Sequence, residues 1–289
     1  MEFERRIKID SKVLRNLFQD LRSKGYTLRS ICKTVKGFSD ALYRGYTLPE
    51  KSFQQLEEIF GNPIKHKIRT KNNNINPSTI RKDSKLAELV GIILGDGTVG
   101  HYIDKNHKNI YLLEITLNGI DEKEYVLYVK KLMTQIFKKP YFRQRTDSKA
   151  AILRIQDKNL YHFLLSIGLK SGNKIRNQVN VPDWIKSKKD LIISCLRGLF
   201  DTDGSISLDK RYDSLKLEFR NHSEPLLLDF RKMTEAIGVK PSERGYNRVQ
   251  IQSKREVRKF LEIVKPIKWK VKLKQDSSII KKLDYKINI

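Results

Sequence analysis

Leu89-Val-Gly-Ile-Ile-Leu-Gly-Asp-Gly97 and Leu196-Arg-Gly-Leu-Phe-Asp-Thr-Asp-Gly204 are two versions of one pattern: an apolar run with glycine third, then a small residue, then Asp-Gly. Gly91 and Gly198 are 107 residues apart, and so are Asp96 and Asp203. The constant offset predicts two copies of one unit, each opening with a helix that closes on its aspartate. Gly91 and Gly198, lacking a Cβ, would let the two helices pack backbone to backbone. Gly95 and Thr202, both small, sit just before each aspartate, where the helices would be closest. A lone Asp-Gly is a common turn signal; two at equivalent positions of two apolar helices are not so easily dismissed. Packed side by side, the helices would bring both carboxylates together beside two helix C-termini, whose partial negative charge attracts a cation. Such carboxylates repel, so the arrangement implies a bound metal or raised pKa values. Oxygen ligands favour Mg²⁺ over zinc, and a metal so held can activate water for phosphodiester hydrolysis.

The bulk composition agrees. Lys plus Arg number 59 against 33 Asp plus Glu, a net charge of +26 in 289 residues. This points to a polyanionic partner and specifies no chemistry; a ribosomal or histone-like protein would be as basic. Two cysteines, Cys32 and Cys195, lack metal-ligand spacing and indicate a reducing compartment. No apolar signal core and no apolar run long enough to span a membrane are visible, so a cytoplasmic, nucleoid-associated protein with no membrane contact is expected.

The chain reads as four stretches. Residues 1–60 form a small helical module: Leu14, Leu17, Phe18 and Leu21 recur at helical spacing, and Thr27 can cap a second helix. Phe38–Arg44 would be a third helix and Lys51–Phe60 a fourth. Residues 61–84 are basic and asparagine-rich with two prolines, the composition of a linker. Residues 85–182 and 183–289 are the two repeats. In each, the motif helix precedes an alternating strand, Tyr111–Asn118 or Leu215–Asn221. A helix follows, over Asp121–Phe137 or Ser223–Ile237. Then come a strand pair (Tyr141–Arg145 with Ala151–Gln156; Ser242–Gly245 with Arg248–Gln252) and a last helix. Each half is thus an αββαββα unit of the α+β class, its sheet covered on one face only.

The uncovered faces carry Arg143, Arg145, Arg154 and Gln156 in the first half. In the second they carry Lys216, Arg220, Arg248, Gln250 and Gln252. Long hydrogen-bonding side chains on a twisted sheet suit the major groove, where base edges carry a distinct donor and acceptor code. The partner expected is double-stranded DNA.

The doubled motif resembles the signature of the LAGLIDADG homing endonucleases in their single-chain, two-repeat form, and the resemblance covers about residues 85–285. It implies two pseudo-symmetric αββαββα repeats with saddle-shaped antiparallel sheets and the motif helices at a central interface, in a monomer with internal twofold symmetry. It also implies metal-dependent, staggered double-strand cleavage of DNA. On this resemblance Asp96 and Asp203 are the metal-binding acids, with Mg²⁺ as cofactor and Mn²⁺ as substitute. The backbone carbonyls of Gly95 and Thr202 add metal contacts, and Lys174 and Lys272 touch the water around the scissile phosphate. Asn118 and Asn221 would hold active-site water. Leu94 departs from the pattern, standing where repeat two has Asp201. The N-terminal module, an addition to the family's core and all-α on this reading, resembles a phage-repressor helix-turn-helix and would present Tyr43 and Arg44 to DNA. A chain that begins Met-Glu and ends Lys-Ile-Asn-Ile lacks an intein's terminal residues, so a free-standing or intron-encoded protein is expected. The alternative is a cleavage-inactive DNA-binding regulator, or an intron RNA maturase bound to structured intron RNA. Retention of both acids favours the enzyme.

Overall fold

The computed structural model describes residues 5–64, 66–70, 75–209, 214–242 and 245–269. The chain divides into two units, Met1–Asn73 and Asn74–Ile289. In the first, β1 (Arg5–Ile9) is followed by α1 (Ser11–Ser23), α2 (Leu28–Thr34), α3 (Phe38–Arg44), β2 (Leu48–Pro49), α4 (Glu50–Phe60) and β3 (His66–Thr70). The Asp10 side chain accepts from the Lys12 N–H and caps α1. Thr27 and Ser30 close a capping box at α2. Leu14, Leu17, Leu21, Ile31, Phe38, Leu42 and Leu56 then meet in one core.

This unit is not all-α, as its sequence suggests. Antiparallel β1 pairs with β2 and β3 in a three-stranded sheet of order β2-β1-β3. The strand is hard to see because Ile7 and Ile9 are its only apolar residues among charges, yet they are 2% and 5% exposed. Its partners lie far along the chain, at Leu48–Pro49 and His66–Thr70. The stretch expected to be a linker, 61–84, accordingly contains β3 and a 3₁₀ turn at Pro77–Thr79. Cross-strand pairing there overrides a basic, breaker-rich composition.

The second unit runs α5 (Ser84–Asp96), β4 (Gly97–Ile103), β5 (Asn109–Asn118), α6 (Lys123–Ile136), β6 (Tyr141–Gln144), β7 (Ala150–Gln156), α7 (Lys158–Ser166). After α8 (Asp183–Lys186) the order repeats: α9 (Lys189–Asp203), β8 (Gly204–Asp209), β9 (Ser214–Arg220), α10 (Glu224–Ala236), β10 (Arg248–Ile251), α11 (Lys254–Val264). It is an α+β fold with antiparallel sheets of order β4-β5-β7-β6 and β10-β9-β8. The registers correspond: Gly97 lies opposite Ile115, and Gly204 opposite Phe219. Of the strand expected at Ser242–Gly245, the described residues show a Ser242 N–H to Gln250 carbonyl bond of 2.7 Å and a Gly245–Arg248 bridge. Residues 243 and 244 between them lie outside the described residues.

Helices α5 and α9 form the centre. Every residue from Leu86 to Leu94 is buried, so α5 is enclosed on all sides. A Cβ on Gly91 would collide with the Cys195 carbonyl oxygen and lie 2.9 Å from the Leu199 nitrogen. One on Gly198 would collide with the Glu88 carbonyl oxygen and lie 2.8 Å from the Ile92 nitrogen. Cys195 and Leu199 stand 107 residues beyond Glu88 and Ile92, so exchanging the repeats maps one set of contacts onto the other. This is a twofold interface within one chain. Glu88, 4% exposed, spans it with an ion pair to Arg197 at 3.0 Å and accepts the Tyr128 hydroxyl at 2.5 Å. Arg197 Nε donates to the Val264 carbonyl at 2.8 Å, so the buried pair is satisfied on both sides. Cys195 is wholly buried. Among the described residues no helix is long and apolar enough to cross a membrane.

Candidate active site

Asp96 is the last residue of α5 and Asp203 the last of α9. Just before them the helices remain in close contact: a Cβ on Gly95 would collide with Thr202 Oγ1. That hydroxyl donates back to the Gly198 and Leu199 carbonyls at 3.0 and 2.9 Å, so Thr202 adds no free donor to the site. Burial, reinforced by the charge of Asp203, pushes the Asp96 carboxyl up to about 6. Burial also raises Asp203, against the opposing pull of a bond from Asn221 and of Lys174 and Lys268.

Two lysines answer these acids. Lys174 arrives on the loop after α7, where Gly172 takes a left-handed φ of 89° and its N–H bonds to the Val99 carbonyl on β4 at 2.9 Å. A side chain at position 172 would strain that turn. Lys174 Nζ donates to the carbonyl of Gly95 and reaches that of Ile93 at 3.4 Å. Burial lowers its pKa, while both aspartates act to raise it.

The counterpart expected in repeat two, Lys272, lies outside the described residues. Among the described residues of repeat two, Lys268 acts on the site, and its charge lowers both aspartates. Its backbone is anchored by Asp201, 1% exposed, whose carboxylate accepts the N–H groups of Ile267 and Lys268 at 2.8 and 2.9 Å. Lys268 Nζ pairs with Glu122 of the first repeat at 2.8 Å. Sequence reasoning missed this residue because Lys265, Lys268, Lys270, Lys272 and Lys274 form one basic run. The available signal was Asp201, an acid on an apolar helix that needs buried donors.

The asparagines differ. Asn221 Nδ2 donates to Asp203 Oδ2 at 2.8 Å. Asn118 turns to Asp121 Oδ2 at 2.9 Å and caps the following turn. Among the described residues no hydrogen-bond donor holds the Asp96 carboxylate.

The sheet faces carry their charges as the alternation requires, with counter-charges that sequence reasoning did not assign. Arg154 pairs with Glu114 at 2.5 Å. Arg145, just past the end of β6, pairs with Asp147 at 2.6 Å, both side chains exposed. A cleft of about 490 Å³ lies against Tyr141, Arg143, Arg154 and Gln156. In the second half Lys216, Arg220, Arg248 and Gln250 gather on Glu218. In the N-terminal unit Tyr43 is 66% exposed on α3, and Arg44 pairs with Asp40 at 3.1 Å.

Two family matches cover most of the second unit. Residues 86–181 match the WhiA LAGLIDADG-like domain, and residues 190–265 match the LAGLIDADG-like domain. The chain belongs to the LAGLIDADG family. A stretch of 167 residues is 29% identical to the replication factor C small subunit of Methanocaldococcus jannaschii, covering 53% of this LAGLIDADG chain and 9% of that protein. The chain therefore corresponds to a small fraction of that relative's length. Among solved structures, the homing endonuclease I-DmoI in complex with DNA and Mn is 18% identical with a TM-score of 0.45, over 65% of this chain and 97% of that one. The LAGLIDADG homing endonuclease I-GzeII in complex with its DNA target is 13% identical with a TM-score of 0.45, over 73% and 91%.

Proposed function

We propose that the protein is a site-specific DNA endonuclease that cuts both strands of a duplex by metal-dependent hydrolysis. The observation that carries this reading is the half-buried pair Asp96 and Asp203 at the ends of the two motif helices, with a lysine from each repeat acting on both. Burial raises both carboxylates and the charge of Asp203 raises Asp96 further, which destabilises a fold unless a ligand takes up their charge.

The donor set fits a hard divalent cation. Asp96 and Asp203 supply one carboxylate each, and the remaining positions fall to carbonyls, water and phosphate, as Mg²⁺ prefers. Among the described residues no cluster of three or more His, Cys, Asp or Glu offers a closed, all-protein site. Bound there, a divalent cation would supply Lewis-acid stabilisation of phosphate oxygens and a more acidic attacking water. Asn221 fixes the orientation of Asp203 through one carboxylate oxygen. Lys174 and Lys268 present ammonium protons beside both acids, where they orient water and counter charge on the scissile phosphate. The outward sheet faces read base edges, and α3 of the N-terminal unit adds contacts in helix-turn-helix fashion.

A second reading has specific support: residues 86–181 match a domain named for WhiA and not for an endonuclease. On that reading the fold is a DNA-binding regulator that does not cut. Incubation with a randomised duplex library and Mg²⁺, or Mn²⁺, separates the two. The native chain is expected to give staggered double-strand cuts at one sequence, and Asp96→Asn to bind that sequence without cutting. Discrete binding by the native chain with no cutting under either metal would establish the regulator. Stronger retention of structured intron RNA than of duplex would instead identify a maturase.

A further inference from the structure

Glu218 lies on the outward face of β9, in the middle of the second half-sheet, and is only 6% exposed. Arg220 Nε donates to its Oε1 and Gln250 Nε2 to its Oε2. Lys216 Nζ stands 3.5 Å and Arg248 Nη1 3.7 Å from the same Oε2. Gln252 joins at one remove, donating to Gln250 Oε1 at 2.9 Å. Every side chain assigned to base reading in this half therefore converges on one carboxylate. The register builds the cluster, since Gln250 lies opposite Glu218 and Arg248 opposite Arg220. Burial alone would raise Glu218, but the bonds and charges around it hold its carboxyl below the usual range, so it stays ionised.

The first half has the same device in weaker form. Glu114 occupies the matching register, opposite Thr98 as Glu218 is opposite Ser205. Its only ion pair among the described residues is with Arg154.

We propose that Glu218 is a positioning residue that determines specificity in the second half-sheet: a buried counter-charge that locks the reading side chains in one arrangement and cancels part of their attraction for phosphate. Three cations around one carboxylate present a reduced net charge and a fixed set of donors. Base edges reward fixed donors, whereas phosphates reward mobile charge. Without the carboxylate, Lys216, Arg220 and Arg248 can each swing to the nearest phosphate, and discrimination falls while general affinity rises. This step rests on the DNA-binding reading above.

The test is parallel selection from one randomised duplex pool with wild type and Glu218→Gln, followed by salt titration on a duplex of fixed random sequence. Glu218→Gln is expected to lose base preference in one half-site and keep it in the other. Its affinity for the random duplex should rise about tenfold, with a log–log salt slope steeper by about one for each additional phosphate neutralised. Glu114→Gln should do the same to the opposite half-site, more weakly. Preferences and slope equal to wild type would overturn the inference, and so would equal loss in both half-sites. If Glu218→Gln does not fold, Gln250→Ala must lose preference in that same single half-site for the inference to stand. Wild-type protein that enriches no sequence would overturn the DNA reading along with it; wild-type enrichment unaltered by Glu218→Gln overturns this step alone.

Discussion

The two repeats agree where their helices touch and differ where their lysines are delivered. At the interface, Gly91 meets Cys195 and Leu199 as Gly198 meets Glu88 and Ile92. Around the acids the equivalence ends. Repeat one brings Lys174 in on a glycine turn pinned to β4, whereas repeat two brings in Lys268 by bonding its backbone to Asp201. Asn221 steadies Asp203, and Asn118 is turned away from Asp96. Backbone-to-backbone packing leaves one workable residue at its closest point. A lysine ammonium, at the end of four methylenes, can be brought to one place by several routes. Duplication therefore conserves the contact and lets the support diverge.

The sharpest way to break the interface half of this comparison is a β-branched side chain at either glycine. Gly198→Val would drive a Cβ into the Glu88 carbonyl oxygen, and Gly91→Val one into that of Cys195. Backbone cannot yield as a flexible side chain does, so each change is expected to cost about 3 kcal/mol or more. Urea unfolding checks this. If one substitution were mild and the other severe, the twofold equivalence of the helices would be lost.

The support half is tested at Asp201. Replacing it with leucine, the residue at the matching position 94, leaves the N–H groups of Ile267 and Lys268 without their acceptor. Each orphaned donor costs about 1–3 kcal/mol. Asp201→Leu should thus destabilise by about 2–6 kcal/mol and lower kcat about tenfold at constant KM. Asp201→Asn, which keeps an acceptor oxygen, should restore part of both. Amine-labelling mass spectrometry offers a readout that needs no cleavage: Lys268 should label faster in the leucine variant, and Lys174 at its wild-type rate. Equal labelling of Lys268 in both proteins would remove Asp201 from the site.

The two acids should also differ from each other in their dependence on pH. With its folded pKa raised from 3.8 to about 6, Asp96 retains its proton in the folded state over a range where the unfolded chain has lost it. The contribution of Asp96 to stability is therefore greatest below 3.8 and declines as pH rises towards 6. At neutral pH the deficit is about 3 kcal/mol at most, from about 1.4 kcal/mol per pKa unit. Without divalent cation, Asp96→Asn should melt several degrees above wild type at neutral pH and close to it below 3.8. Asp203→Asn should gain less, since the Asn221 bond already favours its charged form. Added Mg²⁺ should stabilise wild type and leave Asp96→Asn unchanged by calorimetry. A wild type indifferent to Mg²⁺ would count against a cation at these carboxylates.

What could be read from the sequence follows the range of the interactions. The motif helices, the alternating strands and the outward side chains were legible because period and spacing are local properties. β1 and β3 were not, because Ile7 and Ile9 become a strand only through residues far along the chain. The two acids and Lys174 could be placed from their motifs. Lys268 could not, since its position depends on a carboxylate 67 residues earlier in the chain. The counter-charges Glu114 and Glu218 were visible in the alternation, but which cations each would hold depends on cross-strand register.

The smallest effect separates the N-terminal unit from the repeats. Tyr43 and Arg44 stand on one short helix, and Arg44 is already paired with Asp40 at the surface. A surface pair of this kind contributes little to stability, so removing both side chains should leave the melting temperature within a degree or two of wild type. If α3 reads base edges, Tyr43→Ala with Arg44→Ala should erase one block of selected sequence and weaken binding about tenfold, near 1.4 kcal/mol. If it meets only phosphate, affinity should fall less, the salt slope should flatten by about one, and the selected sequence should stay whole. A variant with unchanged sequence, slope and affinity would leave recognition entirely to the two half-sheets. The helix-turn-helix resemblance would then describe the shape of α2 and α3 and nothing of their function.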